Sequence, residues 1–166
     1  MHLSPVLRPL LSVAAAAALA GGASAMAGAS GKRGVHRRVT GHAARQYLAN
    51  SAPAERLSAR FEASALSWIG DPAITNAKAV ATARPLVVAL ASLKHDLDHE
   101  RWPAPARHDI AALSASCGRL VTDLRSLSRV DLAKTSTWEA PLLRDDTRAT
   151  AAGAKVRHDL GLPPLP

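Results

Sequence analysis

A single cysteine, Cys117, stands in the 166-residue chain. No intrachain disulfide can form, so a fold outside the cytoplasm has to hold itself together by packing. Aromatic residues are almost as scarce: Tyr47, Phe61, Trp68, Trp102 and Trp138 make up 3% of the sequence. Proteins that bind single-stranded nucleic acid stack bases on aromatic platforms, and this chain has few to offer. Catalytic signatures are also missing. There is no Gly-x-Ser-x-Gly elbow, no phosphate loop, no His-Glu-x-x-His and no Glu-x-x-His pair of the di-iron bundle type. Asp145 and Asp146 are adjacent, and neighbours on a helix point in different directions, so they read as solvated charge and not as an acid pair. No enzyme class and no cofactor follow from these residues.

What the chain does have begins at its start. Arg8 lies in a short n-region, an apolar run spans Leu10 to Ala20, and Ala23-Ser24-Ala25 supplies small residues before Met26. Residues 1–25 therefore read as a secretory signal peptide cleaved near Ala25, which makes the expected location secreted or extracellular. The run is short and alanine-rich for a membrane span, which takes about 20 strongly apolar residues. Lys32, Arg33, Arg37 and Arg38 follow it closely, and positive charge there resists translocation. An uncleaved N-terminal membrane anchor is the rival reading. The twin arginine Arg37-Arg38 follows the apolar run and so is not an export signal of that kind.

The formal net charge is +8, of which Arg8, Lys32, Arg33, Arg37 and Arg38 supply five, leaving +3 from Thr40 onward. The basicity thus belongs to a flexible Gly/Ser/basic linker over residues 26–40 and not to a basic face on a folded domain. Nucleic acid is set aside as a partner. A weak association with an anionic membrane surface, or contact with a cell-envelope polymer or another protein, fits better.

Residues 41–166 read as one all-α domain, an up-down-up-down four-helix bundle with kinked helices. The first stretch, from about His42 to Trp68, repeats Tyr47, Asn50, Ala54, Leu57, Phe61, Ser64 and Trp68 at spacings of three and four. Ser64 can bond a carbonyl one turn back. Pro53 predicts a kink or a break. Gly70-Asp71-Pro72 ends this helix and starts the next, with Asp71 as N-cap. The second stretch, about Pro72 to Glu100, carries Ala79, Ala83, Leu86, Leu90, Leu93 and Leu97, with Pro85 as a second kink. The third, about Ala106 to Ser128, carries Ile110, Leu113, Cys117, Leu120, Leu124 and Leu127, which points Cys117 inward as a small hydrophobe. The fourth, about Thr137 to Leu160, carries Trp138, Leu142, Ala149, Ala152, Val156 and Leu160. It opens on a Ser136/Glu139 capping box and ends at Gly161. Asp145 also falls on this seam, and a frame shift at Pro141 would turn it to water, since an unpaired buried carboxylate is costly.

This topology puts the start of the first helix, the end of the second, the start of the third and the end of the fourth at one pole. His42, His95, His99, His108 and His158 all fall there, beside Asp96, Asp98, Glu100, Asp109 and Asp159. His95 and His99 are one turn apart, the spacing that lets two imidazoles share a metal. They lie off the seam of Leu93 and Leu97, which favours a surface role; a metal-binding or sensor module is the alternative.

Tyr47-Leu48, Trp102-Pro103 before the third helix, Asp123-Leu124, Trp138 and the terminal run Val156-Arg157-His158-Asp159-Leu160-Gly161-Leu162-Pro163-Pro164 together resemble a group of secreted proteins of actinobacteria, many of them lipoproteins. The resemblance implies a helical exported domain and brings no activity with it. This chain has no cysteine after the signal for a lipid to attach to. The expected function is therefore a non-catalytic binding module at the cell surface or in the extracellular space. Such a role predicts an exposed apolar patch on a helix face, whereas an enzyme would need a deep polar pocket.

Overall fold

A computed structural model describes residues 41–68, 71, 73–132 and 134–164. The signal-peptide and linker readings, residues 1–25 and 26–40, lie outside the described residues. So do Gly70 and Pro72 of the expected first turn.

Four helices account for the fold: α1 (His42–Leu66), α2 (Asn76–His99), α3 (Arg107–Ser126) and α4 (Thr135–Asp159), with a short 3-10 turn at Ala104–Ala106 ahead of α3. Among the described residues no strand occurs, and no helix is long and apolar enough to cross a membrane. Every apolar seam position expected of α2, α3 and α4 is buried. On α1, Tyr47, Ala54, Phe61 and Trp68 are buried, while Asn50, Leu57 and Ser64 are intermediate. Leu124, Leu127, Leu160, Val156 and Cys117 are at most 1% exposed and form the centre. Each buried leucine contributes roughly 1.5–3 kcal/mol, which replaces the disulfides the chain cannot make.

The connections differ in detail from the sequence reading. Asp71 does not cap α2: its Oδ1 accepts from Ala73 N at 2.8 Å, making a local turn. The helix starts at Asn76, where Thr75 Oγ1 accepts from Lys78 N at 3.2 Å. Asn76 Nδ2 then donates to Leu127 O at 2.6 Å and Val130 O at 2.8 Å, tying the start of α2 to the end of α3. At the opposite pole Trp102 Nε1 donates to Leu97 O at 2.9 Å and closes the α2–α3 corner. α4 begins two residues earlier than expected, so Ser136 lies in its first turn and is not its cap. Its end is as expected. Gly161 has φ 67°, its N–H donates to His158 O at 3.0 Å, and Leu162 N donates to Arg157 O at 2.8 Å, the double bond of a Schellman cap.

The three prolines inside the described helices do not break them: α1, α2 and α4 run continuously through Pro53, Pro85 and Pro141. Pro53 and Pro85 are exposed, as are Ala49 and Ala81, whose carbonyls lose their donors one turn back. Water takes over those carbonyls, so the proline costs little where it faces outward.

With no frame shift at Pro141, the reading of Asp145 as solvated is overturned. Asp145 is 3% exposed. Its Oδ1 lies 2.8 Å from Arg148 Nη1, 3.4 Å from Arg119 Nε and 3.8 Å from Arg144 Nε. Three guanidinium groups, two from α4 and one from α3, supply the charge that makes burial tolerable. Replacing it should be costly out of proportion to its size. Asp145→Ala is expected to lose about 1–2 kcal/mol, because the arginines remain half-exposed and regain water. Arg148→Ala should lose less, since two arginines remain. Thermal unfolding measures both, and an Asp145→Ala protein as stable as the parent would refute the role assigned to this cluster.

Candidate functional site

The helices pack in sequence, α1 on α2, α2 on α3 and α3 on α4, but α1 and α4 make almost no backbone approach to each other. Side chains bridge the gap at its two ends. At one, Trp68 meets Trp138 at a ring-centroid distance of 6.2 Å, with Phe61 edge-on to Trp68 at 5.6 Å. At the other, Gly153 lies against Tyr47, where a methyl group on the glycine would sit 3.6 Å from the tyrosine hydroxyl. A slot runs between these ends.

Two files of residues line it. Ser51, Glu55, Ser58 and Glu62 descend α1 at spacings of four, three and four, and Asp146, Thr150, Gly153 and Arg157 climb α4 at the same spacings. Each file lies one residue beyond the core seam of its helix, a rotation of 100° that turns it from the bundle axis toward the neighbouring helix. The floor is apolar and comes from α2 and α3: Leu86, Leu90, Leu120 and Leu124 at one end, Leu93, Leu113 and Cys117 toward the other. Two adjoining cavities, of about 50 and 30 Å³, share Ser58, Leu90, Leu120 and Asp146. Each has room for a few waters. Together they form one narrow slot.

The polar groups along the slot are short of partners. Ser51 Oγ, both carboxylate oxygens of Glu62, Asp146 Oδ2 and Thr150 Oγ1 are buried with no hydrogen-bond donor or acceptor within reach. Ser51 is 3% exposed and Glu62 4%. Burial pushes the Glu62 carboxyl above the usual carboxylate range, and burial followed by the nearby Glu62 charge pushes Asp146 up to about 7. Burial also raises the Tyr47 hydroxyl, with Glu55 adding to the effect. The Cys117 thiol, free and buried as expected, is pushed up to about 12 by burial and stays protonated.

The sequence reading places Asp146 in solvent, sets Glu55 and Glu62 off the core seam, and does not single out Ser51, Ser58 or Thr150. A signal was present: two polar files at heptad spacing, each adjacent to a core seam.

The histidine pole has a different outcome. His42, His95, His99, His108 and His158 are all exposed. The rings of His95 and His99 stack at 4.1 Å, and His99 Nδ1–H donates to His95 O at 2.7 Å. His158 Nδ1 is 3.4 Å from Asp159 Oδ1. Two of the acids of this pole have partners other than the histidines. Asp98 meets Lys94 and Ser114, each at 2.5 Å, and the Lys94 hydrogen bond, then that from Ser114, holds its carboxyl below the usual range. Glu100 Oε1 accepts from Asn50 at 3.0 Å. Among the described residues no group of three or more His, Cys, Asp or Glu side chains is arranged to hold a metal ion. A wider hollow of about 400 Å³ at the α2–α3 corner includes Arg101, Trp102 and Arg107, but Arg107 Nε already donates to Trp102 O at 3.1 Å.

The slot has a pH signature. Asp146 binds its proton more tightly folded than unfolded, so its contribution to stability is full below about pH 4 and is lost as pH rises toward about 7. Glu62 acts in the same direction. Asp146→Asn should therefore raise the melting temperature at pH 8 by several degrees while changing it little at pH 4. Thermal melts of both proteins across this range test it, and parallel curves would remove Asp146 as the titrating group.

No family model, curated protein or solved structure matches this chain, so the slot is read from its own residues and geometry alone.

Proposed function

We propose that this protein is an exported binding module that acts at the cell surface or in the extracellular space and seats part of its partner, a protein or a cell-envelope polymer, in the slot between α1 and α4. One observation carries the reading: five buried polar atoms, from Ser51, Glu62, Asp146 and Thr150, line the slot without protein partners. Buried polar groups left unmatched cost roughly 1–3 kcal/mol each, and a fold that keeps several along one slot gains most when a ligand supplies their partners. The limited space supports recognition over turnover. The exposed large apolar residues Leu48, Leu66 and Val88 lie apart, Leu48 and Leu66 at opposite ends of α1 and Val88 on α2. They do not form the apolar patch expected of a flat protein interface, so the slot is the better seat.

Export rests on residues 1–25 and on the resemblance to secreted actinobacterial proteins. The basic linker adds a weak affinity for anionic membrane surfaces.

Two measurements test the proposal. Mass spectrometry of the N-terminus should find mature protein beginning at Met26 in culture medium; recovery only in membranes with residues 1–25 intact would overturn export. Sedimentation with insoluble cell-envelope polymer should pull down the parent protein, while Ser58→Phe, which fills the stretch shared by both cavities, should reduce binding at least tenfold and leave the fold intact by circular dichroism. Undiminished binding by Ser58→Phe would remove the slot from the function.

A further inference from the structure

We propose that the slot takes a protonated primary amine on a short unbranched carbon chain, its ammonium group held between Glu62 of α1 and Asp146 of α4 and its chain laid on the leucine floor. This rests on the slot being the ligand seat and adds the chemistry of what enters it.

The acceptors come first. Glu62 is 4% exposed, and neither of its oxygens meets a donor; Asp146 Oδ2 is in the same condition on the facing helix. A primary ammonium offers three N–H donors in a compact head, which matches these three oxygens in number. Independently of this acidic pair, Ser51 Oγ and Thr150 Oγ1 are buried and unpartnered in the adjoining cavity. The slot thus calls for a ligand along its length and not only at its acidic end.

Space and floor narrow the class. The cavity beside Glu62, about 30 Å³, has room for two or three waters, the bulk of an aminomethyl end group. Leu86, Leu90, Leu120 and Leu124 offer no polar atom below it, so the part of the ligand that follows the head must be apolar. Anions are repelled by the two carboxyls. Hard divalent cations want six or more oxygen ligands, or an octahedral shell of waters, and two carboxyls with the Ser58 hydroxyl fall short. The remaining titratable groups on the slot do not alter this. Glu55 and Tyr47 on α1, Cys117 on α3 and Arg157 on α4 line its far part, and α2 contributes none. Arg157 is eleven residues from Asp146, about 16 Å along the helix, and its Nε donates to Pro163 O at 2.9 Å.

The test uses the full chain at pH 7.5 and n-butylammonium chloride, followed by methyl NMR of Leu90 and Leu120 and by thermal shift. Saturable movement of both leucines and a raised melting temperature are expected. Asp146→Asn and Glu62→Gln should each weaken the effect at least tenfold, and if Glu62→Gln does not fold, Asp146→Asn decides alone. Tetramethylammonium has the charge but no N–H donor and should leave the leucines unmoved. Acetyl-lysine-amide forms a second arm: tighter binding than butylammonium identifies a peptide-borne amine as the source, and weaker binding a free alkylamine. No saturable response to butylammonium, or an equal response to tetramethylammonium or to calcium chloride, overturns the proposal. If butylammonium is silent while Ser58→Phe still abolishes envelope binding, only the amine is refuted. If Ser58→Phe binds envelope normally, the slot reading fails with it.

Discussion

Aromatic side chains join α1 and α4 at the two ends of a slot, while their backbones stay apart. The Phe61–Trp68–Trp138 cluster closes one end, and Tyr47 against Gly153 closes the other. Aromatic side chains reach across a gap that the alanines of these helices cannot span, and five aromatics in the whole chain are enough because four of them stand at the two closures. Between the closures the leucines of α2 and α3 stay buried but meet the polar files of α1 and α4 across a narrow slot instead of a packed helix seam. The bundle is therefore a chain of three helix pairs with one open flank, and the slot follows from where the large residues are placed.

That flank explains why two adjacent aspartates have opposite surroundings. Asp145 points along the α3–α4 seam, where Arg119, Arg144 and Arg148 converge on one oxygen. Asp146, rotated by 100°, points into the slot, where Glu62 is its charged neighbour and leucines form the floor. Asp145 is matched within the protein and serves stability. Asp146 leaves its buried Oδ2 without a partner, and its carboxyl holds a proton to about pH 7. A buried acid that the fold could have paired, as it paired the residue beside it, and did not, is better read as a receptor for something outside the chain than as an accident of packing.

The architecture was legible in the sequence because a bundle core is a one-dimensional pattern. The seam from Ile110 to Leu127 specifies α3 almost residue by residue, and Gly161-Leu162-Pro163 specifies the end of α4. Turn chemistry was less legible. Asp71 and Thr75 are both good caps, and the choice between them depends on Asn76 reaching two carbonyls 51 and 54 residues away. The slot was least legible. Its residues are Ser, Thr, Glu and Asp, types that ordinarily mark a solvated face, and only the three-dimensional separation of α1 and α4 makes that face an interior. The histidines lie where their spacing put them: off the seams, each stays on the outer surface because its seam neighbours hold the core.

The same leucines serve both parts. Leu86, Leu90, Leu120 and Leu124 belong to the core that stabilises the bundle, and they also line the slot. Their apolar surface keeps Glu62 and Asp146 away from bulk water and strengthens any ion pair those groups make, since charge–charge attraction grows as the surroundings become less polar. The cost is that both carboxyls are hard to ionise while the slot is empty. Binding a cation and ionising the pair are then coupled: a ligand that brings positive charge favours the ionised carboxyls, whereas burial and the Glu62 charge hold the Asp146 proton up to about pH 7 when none is bound. In the proposed reading the desolvated acidic pair both destabilises the empty slot and receives the ammonium group, so a substitution that relieves the first weakens the second.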